Sequence, residues 1–116
     1  NDIGEYFDTL PYGNYTLLAP AEFLINNHKV IYPGFVMGSN RIQIIYRFDD
    51  EKKNQNYSII NKYLNNEISY DEAENAFEYF RDSYVLTVSK DQAIEIEKNG
   101  AEQVYKQNNY YLLKLD

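Results

Sequence analysis

The 116-residue chain contains no cysteine and no tryptophan, and it has only five glycines and three prolines. Without cysteine it can form neither a disulfide framework nor a thiolate zinc site, and it has no thiol nucleophile. The glycines are scattered singly, so neither a phosphate-binding loop nor a dinucleotide fingerprint occurs. These absences exclude thiol chemistry and argue against the nucleotide-binding functions that have recognisable motifs.

Basic side chains are also scarce. The chain has 11 Lys and Arg against 18 Asp and Glu, which gives a net charge of -7. A negative chain is repelled by the phosphates of nucleic acids and attracted by a positively charged protein. The charge therefore predicts a basic protein partner and no nucleic acid partner.

Long apolar runs are missing as well. The longest, such as Val30 to Tyr32 and Ile42 to Tyr46, are far shorter than the roughly 20 residues that span a bilayer. The sequence also shows no pattern of a secretion signal. We expect no membrane partner and, together with the lack of cysteine, a cytoplasmic protein that is a monomer or a small oligomer.

Catalytic patterns are not recognisable. A nucleophilic triad needs a base, and the one histidine, His28, follows Asn26 and Asn27 in a predicted turn. The acidic run Asp49-Asp50-Glu51 lacks the alternating ligands and central glycine of a calcium loop. We therefore expect no enzymatic activity, no cofactor and no metal site.

Hydrophobic residues recur at helical spacing in four segments, and some of these segments begin with a capping-box pair such as Ser69 and Glu72. The pattern predicts helices near residues 2–10, 57–65, 70–82 and 90–99. Within the third helix, Phe77 and Phe80 belong to the apolar stripe, so we expect both to be buried.

β-branched and aromatic residues predict the strands. The clearest alternation covers residues 41–48, where Arg41, Gln43 and Arg47 interleave with apolar residues and predict one buried and one exposed face. The other predicted strands are 15–18, an antiparallel pair 22–25 and 29–36, 84–88, and a closing hairpin of 104–105 with 110–115.

Taken together, these elements predict a single α+β domain that covers residues 1–116. A chain of this length buries roughly two thirds of its unfolded surface without help from disulfides or metals. We expect an antiparallel sheet of about five to seven strands, with three to four helices packed mainly on one face.

One side of the predicted helix 70–82 is acidic. At about 100° per residue, four of its five acids fall within about 80° of one another. Solvated helix faces usually mix Lys and Glu at spacings of four, whereas these acids repel one another. They are Asp71, Glu74, Glu78 and Asp82.

Two interpretations of this stripe remain open. It is either the polar face of an amphipathic helix or a binding surface whose mutual repulsion a basic ligand would relieve. In the second case, Tyr79 and the loop Asp49, Asp50 and Glu51 are candidates for its rim.

The leading hypothesis is an immunity protein (antitoxin), a small inhibitor that covers the active site of a basic toxin such as a nuclease. It rests on the net charge, the acidic stripe, the supply of tyrosines for contact and the lack of catalytic motifs. Alternatives are a phage- or plasmid-encoded mimic of nucleic acid that blocks a host nucleic-acid-binding protein, a regulatory domain that binds a small ligand or peptide, and an enzyme without a recognisable motif.

The charge makes one prediction that is independent of the partner. The protein should not be retained by duplex DNA or RNA at physiological ionic strength, because repulsion between its carboxylates and the phosphates dominates. A gel-shift assay checks this, and a micromolar shift at that salt concentration would contradict the charge argument.

Overall fold

The computed structural model of the chain describes residues 2–20, 35–37, 40–46, 52, 54–107 and 109–115. The helices within these residues are α1 (Asp2–Asp8), α2 (Gln55–Leu64), α3 (Tyr70–Ala76), a 3-10 helix (Phe80–Asp82) and α4 (Lys90–Lys98). The strands are β1 (Asn14–Ala19), β2 (Phe35–Met37), β3 (Asn40–Tyr46), β4 (Ser83–Thr87), β5 (Glu102–Gln107) and β6 (Tyr110–Lys114).

These six strands form one sheet in the order β2-β3-β1-β4-β6-β5. The α+β class and the strand number agree with the sequence prediction, but a wholly antiparallel sheet was wrong. β1 lies parallel to both β3 and β4, and the other neighbours are antiparallel. After β3, the helices carry the chain back across the sheet, so that β4 runs in the same direction as β3. Hydrophobic periodicity predicts a strand but not its direction.

The two predicted hairpins have different outcomes. The predicted pair 22–25 and 29–36 lies outside the described residues except for Phe35 and Val36, which belong to β2 and pair with β3. The closing hairpin is confirmed, because β5 and β6 are antiparallel neighbours with an irregularity between Gln103 and Tyr105.

Both faces of the sheet are buried, which gives the protein a core on each side. On the first face, which we call the helical face because α2, α3 and α4 cover it, four paired strands contribute one row of residues. This row is Ile45, Leu18, Val85 and Leu113. The second face is covered by Ile3 and Phe7 of α1. Helices packed mainly on one face are therefore confirmed.

Strand β3 follows its predicted alternation at Gln43 but departs from it at Ile45. Ile42 and Ile44 point into the core under α1, as the alternation predicts. Ile45 points to the helical face and is also buried, whereas Gln43 on that same face is exposed. Part of the face expected to meet water is covered by helices instead.

The predicted helix 70–82 ends early. α3 stops at Ala76, because Phe77 takes an extended backbone conformation with φ -137° and ψ 110°. The chain then turns into the short 3-10 helix, and the hydroxyl of Ser83 donates a hydrogen bond to the carbonyl of Tyr79 at 3.2 Å as β4 begins. Phe77 and Phe80 are nevertheless both buried, as predicted. A spacing of three suits a 3-10 turn as well as an α-helix, so the pattern could not reveal the break.

Phe80 lies at the centre of an aromatic group that joins three elements. Its ring packs edge-on against Tyr63 of α2 at 5.0 Å and against Tyr70 of α3 at 5.3 Å between centroids. The two tyrosines meet each other at 6.0 Å. Such edge-to-face pairs stabilise a core beyond the area they bury.

Replacement of Phe80, which is 0% exposed, should therefore be costly. Phe80→Ala should lower the free energy of unfolding by about 3–5 kcal/mol, because it leaves a cavity between α2 and α3. The control Tyr12→Ala, at a residue 82% exposed, should change it by no more than about 0.5 kcal/mol. Urea denaturation measures both. Similar losses in the two variants would contradict this placement of Phe80, and Phe80→Leu gives a graded test if Phe80→Ala does not fold.

Candidate acidic interface

Negative charge is concentrated in one part of the chain. Residues 54–100 contain nine acids and four bases, a net charge of -5 out of the total of -7. This segment includes α2, α3 and α4, whose inner sides pack on the helical face of the sheet. The outer sides of these helices, together with Glu67 and Glu78 in the turns after α2 and α3, therefore carry most of the excess charge.

The first turn of α3 uses two of these acids in its own stabilisation. The carboxylate of Glu72 accepts a hydrogen bond from the backbone N–H of Ser69, and the Ser69 hydroxyl accepts one from the backbone N–H of Glu72, both at 3.1 Å. This capping box is the predicted one. Asp71 lies in the same turn, where carboxylates interact favourably with the exposed N–H groups of a helix.

Glu74 is paired across the break in the helix. Its Oε2 accepts hydrogen bonds from Nη2 of Arg81 at 3.0 Å and from Nε at 3.2 Å. This contact raises the pKa of Arg81. Such exposed pairs contribute little to stability, so Arg81 can exchange this partner for another. The predicted stripe is thus less uniform in sign than the sequence indicated.

Glu78 and Tyr79 lie in the turn between α3 and the 3-10 helix. Both are exposed, and the Tyr79 ring stands edge-on to buried Phe77 at 6.4 Å. They are adjacent to α3 but do not continue its helical face.

Asp82 has different surroundings from the other acids of the predicted stripe. Asp82 is half-buried. Burial is the main reason why the pKa values of Tyr15 and Tyr84 are raised, and the negative charge of Asp82 raises them further. Both tyrosines belong to the core under α1, on the other face of the sheet from α3. A single stripe of four acids on one helix was therefore wrong, because the break at Phe77 separates Asp82 from Asp71.

The acidic loop Asp49, Asp50 and Glu51 lies outside the described residues, as does His28. Its predicted place at the rim of the interface stays a prediction.

Sequence reasoning missed a cluster of tyrosines between α1 and the sheet. Phe7 of α1 packs against Tyr84 at 5.1 Å and Tyr15 at 6.1 Å between ring centroids. The hydroxyls of Tyr84 and Tyr6 are hydrogen-bonded to each other, and the Tyr15 hydroxyl donates a hydrogen bond to the carbonyl of Pro11. Burial raises the pKa of Tyr6, Tyr15 and, most strongly, Tyr84.

Sequence reasoning also missed a junction between the C-terminal ends of α2 and α4. The Asn99 side chain donates a hydrogen bond to the carbonyl of Leu64 at 3.0 Å and accepts one from the Asn66 side chain at 3.3 Å. The Asn99 backbone carbonyl accepts a third from the Tyr63 hydroxyl at 3.3 Å. The recurrence of Asn at both helix ends was the available signal, since Asn suits such ends.

A groove of about 170 Å³ lies beside this junction, and we call it the amide groove. Four of its seven lining residues carry side-chain amides, and one carries a carboxylate. The lining residues are Asn61, Leu64, Asn65, Gln92, Glu95, Ile96 and Asn99.

The placement of Asp82 can be tested by titration of the tyrosines. Asp82→Asn should lower the pKa of Tyr15 and Tyr84, because a nearby negative charge opposes loss of the hydroxyl proton. The matched control Asp71→Asn should leave both unchanged. Tyrosinate absorbance measured against pH, with Tyr15→Phe and Tyr84→Phe for assignment, gives the values. Identical curves for the two Asn variants would place Asp82 away from the tyrosines.

The same pKa shift predicts how stability depends on pH. The folded-state pKa of Tyr84 is raised above its unfolded value of about 10. The stability gained from a neutral Tyr84 is therefore fully present below about pH 10 and is lost as the pH rises towards the folded-state value. Tyr84→Phe should make the free energy of unfolding less sensitive to pH in that range, measured by urea denaturation.

The described residues contain no helix long and apolar enough to cross a membrane. No group of three or more His, Cys, Asp or Glu side chains arranged to hold a metal ion occurs in this part of the chain. No protein-family model, no curated protein and no solved structure shows significant similarity to the chain.

Proposed function

We propose that the protein is an immunity protein (antitoxin) of the bacterial cytoplasm, which binds a basic toxin such as a nuclease and covers its active site. The observation that carries the proposal is the net charge of -5 on residues 54–100, whose helices cover one face of the sheet. Such a face attracts a positively charged protein and complements it after docking. The proposed role is binding, not catalysis.

Several acids on these helices and in the turn after α3 are exposed and accessible to a partner, although Asp71 also lies in the first turn of α3. Asp71, Glu78, Asp91, Glu95 and Glu97 are exposed, and none forms a salt bridge within the described ranges. Glu72 and Glu74 have the local partners described above, so they support α3. The first group is therefore the stronger candidate for contact with a partner.

An exposed apolar side chain lies among charged residues of α4. Ile94 is 44% exposed, and its neighbours on the same side of the helix are two acids, Asp91 and Glu97, and two lysines, Lys90 and Lys98. Protein interfaces obtain much of their binding energy from a few anchor residues that become fully buried, and charged residues at the rim speed association. Ile94 and the partly exposed Tyr79 are suited to be anchors of this kind.

The alternative functions have less support. A mimic of nucleic acid needs like charges at regular intervals, and the break at Phe77 interrupts the predicted stripe. A domain that binds a small ligand would use a pocket of roughly 300–1,000 Å³, and the amide groove, at about 170 Å³, is too small to be that pocket.

Charge reversal on the helical face tests the proposal. The product of the neighbouring gene is the partner to use, because toxins and their immunity proteins are inherited together. Asp71→Lys/Glu78→Lys should slow association with this protein about tenfold or more at low salt and much less at high salt, as expected when steering is lost. Stopped-flow mixing measures the rate.

The matched control is Glu5→Lys/Asp8→Lys, which changes the net charge equally. Both residues are exposed on α1, on the opposite face of the sheet. Equal slowing in both variants would show that only total charge matters and would contradict an interface on α3. A neighbouring product that is not basic, does not bind, or is not neutralised when the two are co-expressed would contradict the proposed function itself.

A further inference from the structure

The amide groove carries chemistry that the acidic surface does not account for. Asn61 and Asn65 come from the end of α2, and Gln92 and Glu95 come from α4. We propose that this groove binds one arginine side chain of a protein partner. The inference rests on the proposed function, since it names the group on the basic partner that the helical face would recognise.

The groove favours a cation over an anion. Glu95 supplies a carboxylate, and both α2 and α4 end beside the groove, so the negative ends of two helix dipoles face it. Lys62 and Lys98 lie in the last turns of these helices and offset part of this field, but neither lines the groove.

Acceptor groups remain available at the groove. The backbone carbonyls of Asn61 and Ile96 already accept hydrogen bonds within the helix ends, and Asn99 is occupied by the junction. The side-chain oxygens of Asn61, Asn65 and Glu95 have no hydrogen-bond partner within the described part of the chain. A guanidinium has five N–H donors in one plane and no acceptor, so it can satisfy several such oxygens at once.

The shape and lining also suit a long side chain. Ile96 is 6% exposed and Leu64 is half-buried, and both line the groove beside the amides. Arginine lays its aliphatic stem along apolar surface while its charged end stays with polar groups. A volume of about 170 Å³ is below that of ligand pockets and fits a single inserted side chain.

The test uses Nα-acetyl-arginine amide as the probe and the isotope-labelled full chain. Saturable shifts in the NMR signals of the Asn61, Asn65 and Gln92 side-chain amides are expected. The neutral analogue Nα-acetyl-citrulline amide, which has nearly the same shape, should produce none. Glu95→Gln should weaken arginine binding about two- to fivefold, the effect of one exposed charge pair, whereas Glu97→Gln on the same helix should not.

Absence of saturable shifts, equal binding of citrulline, or equal effects of the two Gln variants would overturn the arginine site. Association of Glu95→Gln with the neighbouring-gene product separates this failure from failure of the proposed function. If the unmodified protein binds that product and Glu95→Gln binds it equally well, the groove is not used and the proposed function stands. If arginine amide binds the groove but the product does not bind the protein, the proposed function is wrong.

Discussion

The structure depends on burial of both faces of its two central strands. Leu17 and Leu18 of β1 and Val85 and Leu86 of β4 are all 0% exposed, although consecutive residues point to opposite faces. One helix alone could not shield both faces from water. The chain therefore needs α1 on one side and α2, α3 and α4 on the other, and this requirement fixes which helix sides remain outside to carry charge.

The break at Phe77 follows from the same requirement. Phe77 and Phe80 must both reach the core under the helices, and the chain must enter β4 three residues later at Ser83. A continuous helix to residue 82 would place the last turn where the strand has to begin. The extended Phe77 and the 3-10 turn meet both demands, and the Arg81–Glu74 pair spans the break.

Local signals predicted the elements, and long-range contacts decided the rest. The capping box at Ser69 and Glu72 and the burial of Phe77 and Phe80 depend on neighbours in sequence, so they could be predicted. The direction of β1 relative to β3 and β4 depends on crossovers, which periodicity does not encode. The amide groove could not be foreseen, because Asn61 and Glu95 become neighbours only when α2 and α4 pack on one sheet.

The acidic residues differ in what the fold requires of them. Glu72 holds the start of α3 and Glu74 holds Arg81, so their charges are offset by contacts within the chain. Glu95 lines the amide groove and forms no salt bridge within the described part of the chain. The described part of the fold gives Glu95 no contact of this kind, whereas a cation bound in the groove, as we propose, would pair with it. The position of Glu95 in a groove lined by amides, more than the sign of its charge, sets it apart from the acids of an ordinary solvated helix face.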